Sequence, residues 1–214
     1  MKLLVATRSA HKLNEIRTIL AGLPDLELVG LDQAGVPPSP EEDGLEPYDT
    51  FEENALSKAR YFHGLTGLAT VSDDSGLAVD ALDGAPGVCS KRFAPGPAEG
   101  LERDRANNRH LLARLEGVPE PRRTARYVCV VGLVEPGEGF RTFRGEVEGR
   151  IALAPSGQGG FGYDPLFYVP ELGRTFGDAT DEEKHARSHR GRAFRALAAA
   201  MADAAPRASA EVDG

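Results

Sequence analysis

Two adjacent carboxylates, Asp73 and Asp74, sit in the segment Ser72-Asp73-Asp74-Ser75-Gly76. Neighbouring acids repel, and burying either one uncompensated is costly. A hard divalent cation relieves that repulsion, and Mg²⁺ takes a few carboxylates together with phosphate oxygens. The pentapeptide reads as an acidic turn between two strands, with Ser75-Gly76 turning the chain sharply and keeping both acids at a sheet edge. Taken alone, it reads more simply as an exposed Asp-rich turn.

Other segments change that balance. Thr7-Arg8-Ser9-Ala10-His11-Lys12 follows an apolar strand and opens a helix. A helix N-terminus offers free N–H groups and partial positive charge to phosphate, and the Thr7 and Ser9 hydroxyls and the Lys12 ammonium add to it. The Walker-A spacing is absent, so this is not a P-loop. The bland reading is N-capping by Ser9.

Ser156-Gly157-Gln158-Gly159-Gly160-Phe161-Gly162-Tyr163-Asp164-Pro165 formally contains G-x-G-x-x-G. Tyr163-Asp164-Pro165 stands where a dinucleotide-binding helix would have to begin, so that reading fails. Close backbone approach to a flat ligand, with Phe161 or Tyr163 stacking on a ring, fits better. In Lys184-His185-Ala186-Arg187-Ser188-His189-Arg190-Gly191 the two histidines are four apart, but the zinc-protease glutamate is missing and Ser188 breaks the helix between them. Lys184, His189 and Arg190 read instead as donors to phosphate or to a base edge.

The elements that position these groups are short and mixed. Lys2–Ala6 reads as a buried strand, followed by a helix from about Lys12 with Leu13, Ile16 and Leu20 on one face. Residues 36–49 read as loop. Thr50-Phe51-Glu52-Glu53 forms a capping box that starts a helix through about His63, with Ala55, Ala59 and Phe62 inward. Strands are expected at Leu68–Ser72 and Leu77–Leu82, loop at 84–100, and a helix at Arg103–Leu115. A long hairpin runs through Thr124–Val134 and Phe140–Ala152. A second capping box at Thr180-Asp181-Glu182-Glu183 precedes a last helix, capped by Ser188 and ending near Ala204. Mixed strands and helices with a prominent hairpin predict an α/β fold with a mixed sheet.

The chain has 214 residues, 41% hydrophobic and 27% charged, with a net charge of −8. That acidity argues against a general nucleic-acid binder, which usually shows a basic field, but leaves room for a nucleotide site. No apolar run approaches the roughly 20 residues of a membrane span, and no early stretch has the pattern of a signal peptide. Two cysteines, Cys89 and Cys129, fit a reduced cytoplasmic chain better than a disulfide framework.

Thr7…Lys12…Glu15, Thr50-Phe51-Glu52-Glu53-Asn54-Ala55…Lys58-Ala59, Asp73-Asp74-Ser75-Gly76-Leu77…Val79-Asp80-Ala81-Leu82, Gly84-Ala85-Pro86-Gly87, Gly160-Phe161-Gly162-Tyr163-Asp164-Pro165 and Ser188-His189-Arg190-Gly191 occur here in one order. Together they resemble the inosine/xanthosine triphosphate pyrophosphatases of the Ham1/RdgB type, from residue 2 to about 200. The resemblance implies a single domain over residues 1–205 with a loose tail at 206–214. It implies two lobes around a central mixed, twisted sheet flanked by helices, a cleft between the lobes, and a homodimer. It also implies Mg²⁺-dependent hydrolysis of non-standard purine nucleoside triphosphates (dITP/ITP, XTP/dXTP) to the monophosphate and pyrophosphate.

Carried over by position, Thr7, Arg8, Ser9, Ala10, His11 and Lys12 would hold the triphosphate. Asp74 would accept a proton and ligate metal, with Asp73 and Glu42 as further metal ligands; Glu41 competes with Glu42 for that place. Asn54, Lys58 and Ser75 would touch substrate. Phe161, Gly162, Tyr163, Asp164, Lys184, His189 and Arg190 would bind the nucleotide. Ser9 replaces the family's usual Asn, and Arg8 and His11 replace common glycines. Two other readings remain: a Maf-like pyrophosphatase for pyrimidine or modified nucleotides, which the Ser-His-Arg-Gly box opposes, and a non-catalytic nucleotide-binding module, which retention of both acids opposes.

Overall fold

A computed structural model of the chain describes residues 1–204 except 24, 25, 98 and 138, and the side chains of residues 185 and 204 are also left aside. The expected loose tail at 206–214 and the side chain of His185 lie outside the described residues.

Among the described residues, seven strands form one sheet in the order β2-β1-β3-β4-β5-β6-β7. They are β1 (Lys2–Val5), β2 (Glu27–Gly30), β3 (Ala69–Val79), β4 (Thr124–Glu135), β5 (Gly139–Ile151), β6 (Phe167–Val169) and β7 (Arg174–Thr175). β1 pairs in parallel with β2 and β3, whereas β6 pairs antiparallel with both β5 and β7. The sheet is therefore mixed, as expected. The helices are α1 (Ala10–Leu20), α2 (Phe51–Thr66), α3 (Gly100–Arg114), α4 (Asp181–Arg187) and α5 (His189–Ala204).

The chain divides into two compact units. The first comprises Met1–Asp74, Cys129–Gly145 and the chain from Arg190 onward; the second comprises Ser75–Val128 and Glu146–His189. In the first unit, strand alternation sorts side chains onto two faces. Leu3, Val5, Val71, Cys129, Val131 and Leu133 cluster with Ile16 and Leu20 of α1 and Phe194 and Leu197 of α5. Leu4, Ala6 and Val29 cluster instead with Phe62 of α2. Each fully buried aliphatic side chain contributes roughly 1.5–3 kcal/mol. Helix α2 is capped by Thr50, whose hydroxyl accepts from Glu53 N, and ends at Gly67 in the left-handed region (φ 69°). The helix lies so close to β4 that a Cβ on Gly132 would stand 3.0 Å from Ala55 C and Leu56 N.

The second unit has its own core. Leu77 and Val79 of β3, Ala125 and Tyr127 of β4, Val147 and Ile151 of β5, and Phe167 and Val169 of β6 pack with Leu111 and Leu115 of α3.

One expectation is overturned. Ser72–Gly76 is not a turn between two strands, because β3 runs unbroken through it from Ala69 to Val79. Gly76 stays out of the left-handed region, and Asp80–Leu82, expected as strand, is a 3-10 turn. The alternation of a strand explains how two adjacent acids are accommodated: Asp73 and Asp74 point to opposite faces and acquire separate partners.

Candidate active site

Asp73 shares a face with Val71, on the side of α1 and α5, and is 3% exposed. Its Oδ2 lies 3.0 Å from Lys12 Nζ and accepts from Arg190 Nε and Nη2 at 3.3 Å each. Arg190, itself 1% exposed, donates through Nη1 to Glu15 Oε2 at 2.7 Å. Glu15 stands three residues beyond Lys12 on α1, so both project from one helical face. Burial would raise the Asp73 pKa, but Lys12, Arg190 and Lys58 outweigh it and hold the carboxyl well below the usual carboxylate range.

Asp74 faces α2 with its strand neighbour Ser72, whose hydroxyl donates to Ala55 O at 2.7 Å. Asn54 Nδ2 donates to Asp74 Oδ2 at 3.1 Å, and the same amide exchanges hydrogen bonds with the backbone of Tyr48. Lys58, one turn further along α2, donates to the Asp73 carbonyl at 2.6 Å and pairs with Glu46. Burial pushes the Asp74 carboxyl above its ordinary value, and the Glu46 charge adds to that against the pull of Lys58 and Lys12. The proton affinities of two consecutive carboxylates are thus driven apart, that of Asp73 down and that of Asp74 up.

Helix α1 begins at Ala10, two residues before the expected start. Ser9 is its N-cap, accepting from Lys12 N at 3.3 Å, and Thr7 Oγ1 accepts from Ser9 N at 3.2 Å. The Ala10 and His11 side chains are exposed, with the first N–H groups of the helix beneath them. Thr7, Arg8, Ser9 and Ala10 line a cavity of about 360 Å³ with Gly30, Leu31, Asp32 and Gln33. Arg8 crosses to Glu42, donating from Nη2 to Oε1 at 2.7 Å and from Nε to Oε2 at 3.0 Å, and this pairing lowers the Glu42 pKa.

The three acids expected at the metal do not form one cluster. Asp73 is engaged by two cations and Glu42 by Arg8. Among the described residues, no three His, Cys, Asp or Glu side chains converge on a point. Mg²⁺ needs only one or two carboxylates when it arrives with phosphate and water, and Asp74, buried beside a neutral amide, fits that role.

In the second unit Phe161 and Lys184, two of the expected nucleotide residues, meet at Asp164, which is 3% exposed. Its Oδ2 accepts from Lys184 Nζ at 2.6 Å and from Phe161 N at 2.8 Å, and its Oδ1 accepts from Tyr127 Oη at 3.2 Å. The Gly160–Phe161 segment wraps the carboxylate so closely that a Cβ on Gly160 would lie 2.1 Å from Asp164 Oδ2. His189 stacks on Tyr127, centroids 4.7 Å apart and planes 9° from parallel. The Phe161 ring is 43% exposed, with Lys184 Nζ 4.5 Å from its centroid.

Two site expectations change here. Tyr163 is a core residue, 4% exposed, whose hydroxyl donates to Ser90 O at 2.8 Å, so the ring left for stacking is Phe161. Arg190, expected at a base edge, commits its guanidinium to Asp73 and Glu15. Ser75 is half-buried on β3. Ser188 separates α4 from α5, so residues 185 and 189 do not share one helix. Glu46 and Tyr127 were missed: Glu46 lies in a loop without periodicity, and Tyr127 looks like any strand aromatic until its hydroxyl is seen on Asp164.

A family model described as the Ham1 family matches residues 3–200. The chain is 50% identical over 196 residues to the dITP/XTP pyrophosphatase of Geobacter sulfurreducens, covering 92% of this chain and 94% of that protein. It is 52% identical over 193 residues to the protein of the same name from Symbiobacterium thermophilum, covering 90% and 91%. Among solved structures, a HAM1 protein from Coxiella burnetii superposes with a TM-score of 0.83 at 36% identity, covering 95% of this chain and 99% of that one.

Proposed function

We propose that this chain, which belongs to the Ham1 family, hydrolyses non-standard purine nucleoside triphosphates to the monophosphate and pyrophosphate. The observation that carries the reading is the split environment of the acidic pair. Asp73 is locked as an anion among Lys12 and Arg190, while Asp74 is buried with a raised proton affinity beside Asn54. A carboxylate in the second condition suits a general base. The pyrophosphatase names of relatives at about half identity support the same activity.

In this reading the exposed start of α1 and the Lys12 ammonium receive the triphosphate. Asp74 takes a proton from the water that attacks the α-phosphorus in line, and Asn54 fixes the direction of its carboxylate. Lys58 sits behind the acidic pair and restrains its charge. Asp74 would hold Mg²⁺ together with the phosphates, and the cation would supply charge neutralisation for the leaving pyrophosphate. Phe161 stacks on the base, and Lys184 holds that loop to Asp164. Arg190 acts as a strut for Asp73. Assembly as a homodimer in the cytoplasm belongs to the same reading; among the described residues no helix is long and apolar enough to cross a membrane.

Incubation with Mg²⁺ and dITP, XTP, GTP, ATP or UTP tests the proposal. Pyrophosphate from dITP and XTP well ahead of the others supports it. Preference for UTP would favour a Maf-like activity, and absence of any product a binding module.

A further inference from the structure

We propose that Asp104 and Asn108 of α3 are positioning residues for the Phe161 ring, holding the Gly162 peptide groups between them. They set how tightly the base binds without touching the phosphates. The proposal rests on the stacking role given to Phe161 above.

Asp104 and Asn108 lie four residues apart on α3 and so project from one face, one turn from each other. Gly162 N donates to Asp104 Oδ2 at 2.9 Å, and Asn108 Nδ2 donates to Gly162 O at 2.9 Å. One helix thus grips both the N–H and the C=O of a single loop residue. Gly162 sits at φ 62°, where a side chain is disfavoured and glycine is at ease.

The preceding residue is fixed from the other direction, because Phe161 N donates to Asp164 Oδ2 at 2.8 Å. Phe161 therefore lies between two anchored amides, and its ring is left only its side-chain rotamers. Since the Gly162 N–H is already given to Asp104, it is not the group that reads a base edge. What the loop presents is the Phe161 ring.

Asn108 carries a second mark. Its Oδ1 is buried and has no hydrogen-bond partner among the described residues, which a protein interior normally avoids. Turning the amide over would set that oxygen against the Gly162 carbonyl and give up the existing bond. The side chain tolerates an orphan acceptor to keep its donor on the loop. A leucine would fill the space without that cost if packing alone were required.

The test compares Asn108→Ala, Asp104→Ala and Asp104→Asn with the parent protein. KM and kcat are measured for dITP, together with the inhibition constant of inorganic tripolyphosphate, which carries phosphates and no base. The two alanine variants should raise KM for dITP about tenfold, the effect of losing one well-placed hydrogen bond to a fixed group. kcat and tripolyphosphate inhibition should stay within about twofold. Asp104→Asn keeps an acceptor for Gly162 N and should behave as the parent. Unchanged KM in folded alanine variants, or equal weakening of tripolyphosphate, would overturn the proposal.

A readout independent of turnover separates this from failure of the functional reading. The chain has no tryptophan, so Phe161→Trp places a single tryptophan at the loop, excited selectively beyond the tyrosine absorption band. Its anisotropy should fall when Asn108→Ala or Asp104→Ala is added and hold with Asp104→Asn. If the parent hydrolyses no dITP, the pyrophosphatase reading fails while this measurement still decides the clamp. Anisotropy unmoved by either alanine would overturn it.

Discussion

Asn54, a neutral amide, donates to Asp74 across 3.1 Å, while one residue earlier the Lys12 ammonium stands 3.0 Å from Asp73. Strand alternation makes the difference, by sending one acid toward α2 and the other toward α1 and α5. The same covalent neighbours are thereby given opposite surroundings. The Asn54 contact should matter for direction more than for charge. Asn54→Ala should lower kcat for dITP about tenfold, as expected for a base that loses its orientation, with KM little changed. Parent-like kcat in a folded Asn54→Ala protein would count against this role.

Asp73 should appear in the pH dependence of stability. Its folded pKa lies below the ordinary carboxylate value, so the stabilisation is complete above about pH 4 and is lost as pH falls further. Unfolding in denaturant with chelator present should show the parent losing stability across that acid range more steeply than Asp73→Asn. At neutral pH Asp73→Asn should cost about 3–5 kcal/mol, because Arg190 stays buried beside Glu15 with one acid fewer. Equal pH slopes for the two proteins would show that Asp73 is not the locked anion described here.

Lys184 bridges the Asp164 carboxylate and the Phe161 ring. Lys184→Met keeps the unbranched stem and removes the charged end, leaving Asp164 a buried acid without its cation. A melting temperature lower by several degrees is expected, since about 1 kcal/mol corresponds to roughly 2–4 °C in a chain of this size. KM for dITP should rise as well. An unaltered melting curve would place the ion pair outside the energetics of the unit.

Glu42 offers a way to ask whether it ever meets the metal. Both of its oxygens are held by Arg8. If Glu42 turns to the metal during turnover, the cation has to displace Arg8 first. Arg8→Ala should then lower the Mg²⁺ concentration for half-maximal rate by roughly two- to tenfold, the range expected for a partly exposed bidentate pair. An unchanged Mg²⁺ requirement would assign the pair to loop structure alone.

How far the sequence reached depends on the length of the signal. The helices of eleven residues or more carry clear apolar spacing or caps, and the Thr180–Glu183 capping box is present with both of its reciprocal bonds. The 4-residue β2, the 3-residue β6 and the 2-residue β7 are too short for any period to show. Asp73-Asp74-Ser75-Gly76 has the composition of a turn, and only its place between β1 and β4 in the sheet makes it the middle of a strand. The acid at 74 was legible as a candidate for chemistry. Its difference from Asp73 was not, because that depends on Lys12, Arg190 and Asn54, which are distant in sequence. Arg190 looked like a base reader from its box, and its burial against Glu15 could not be read from any spacing. Asp104 and Asn108 carry no motif, and their meaning appears only with Gly162 between them.

Asp74 is the proposed base for pyrophosphate release, and single-turnover hydrolysis of dITP by Asp74→Asn tests that role most directly. The carboxamide introduced by that substitution keeps an oxygen to accept from Asn54, so folding and dITP binding should be retained. The rate of pyrophosphate formation should fall by at least about 100-fold, the usual contribution of a positioned proton acceptor. A folded variant that releases pyrophosphate within a few-fold of the parent rate would contradict the account.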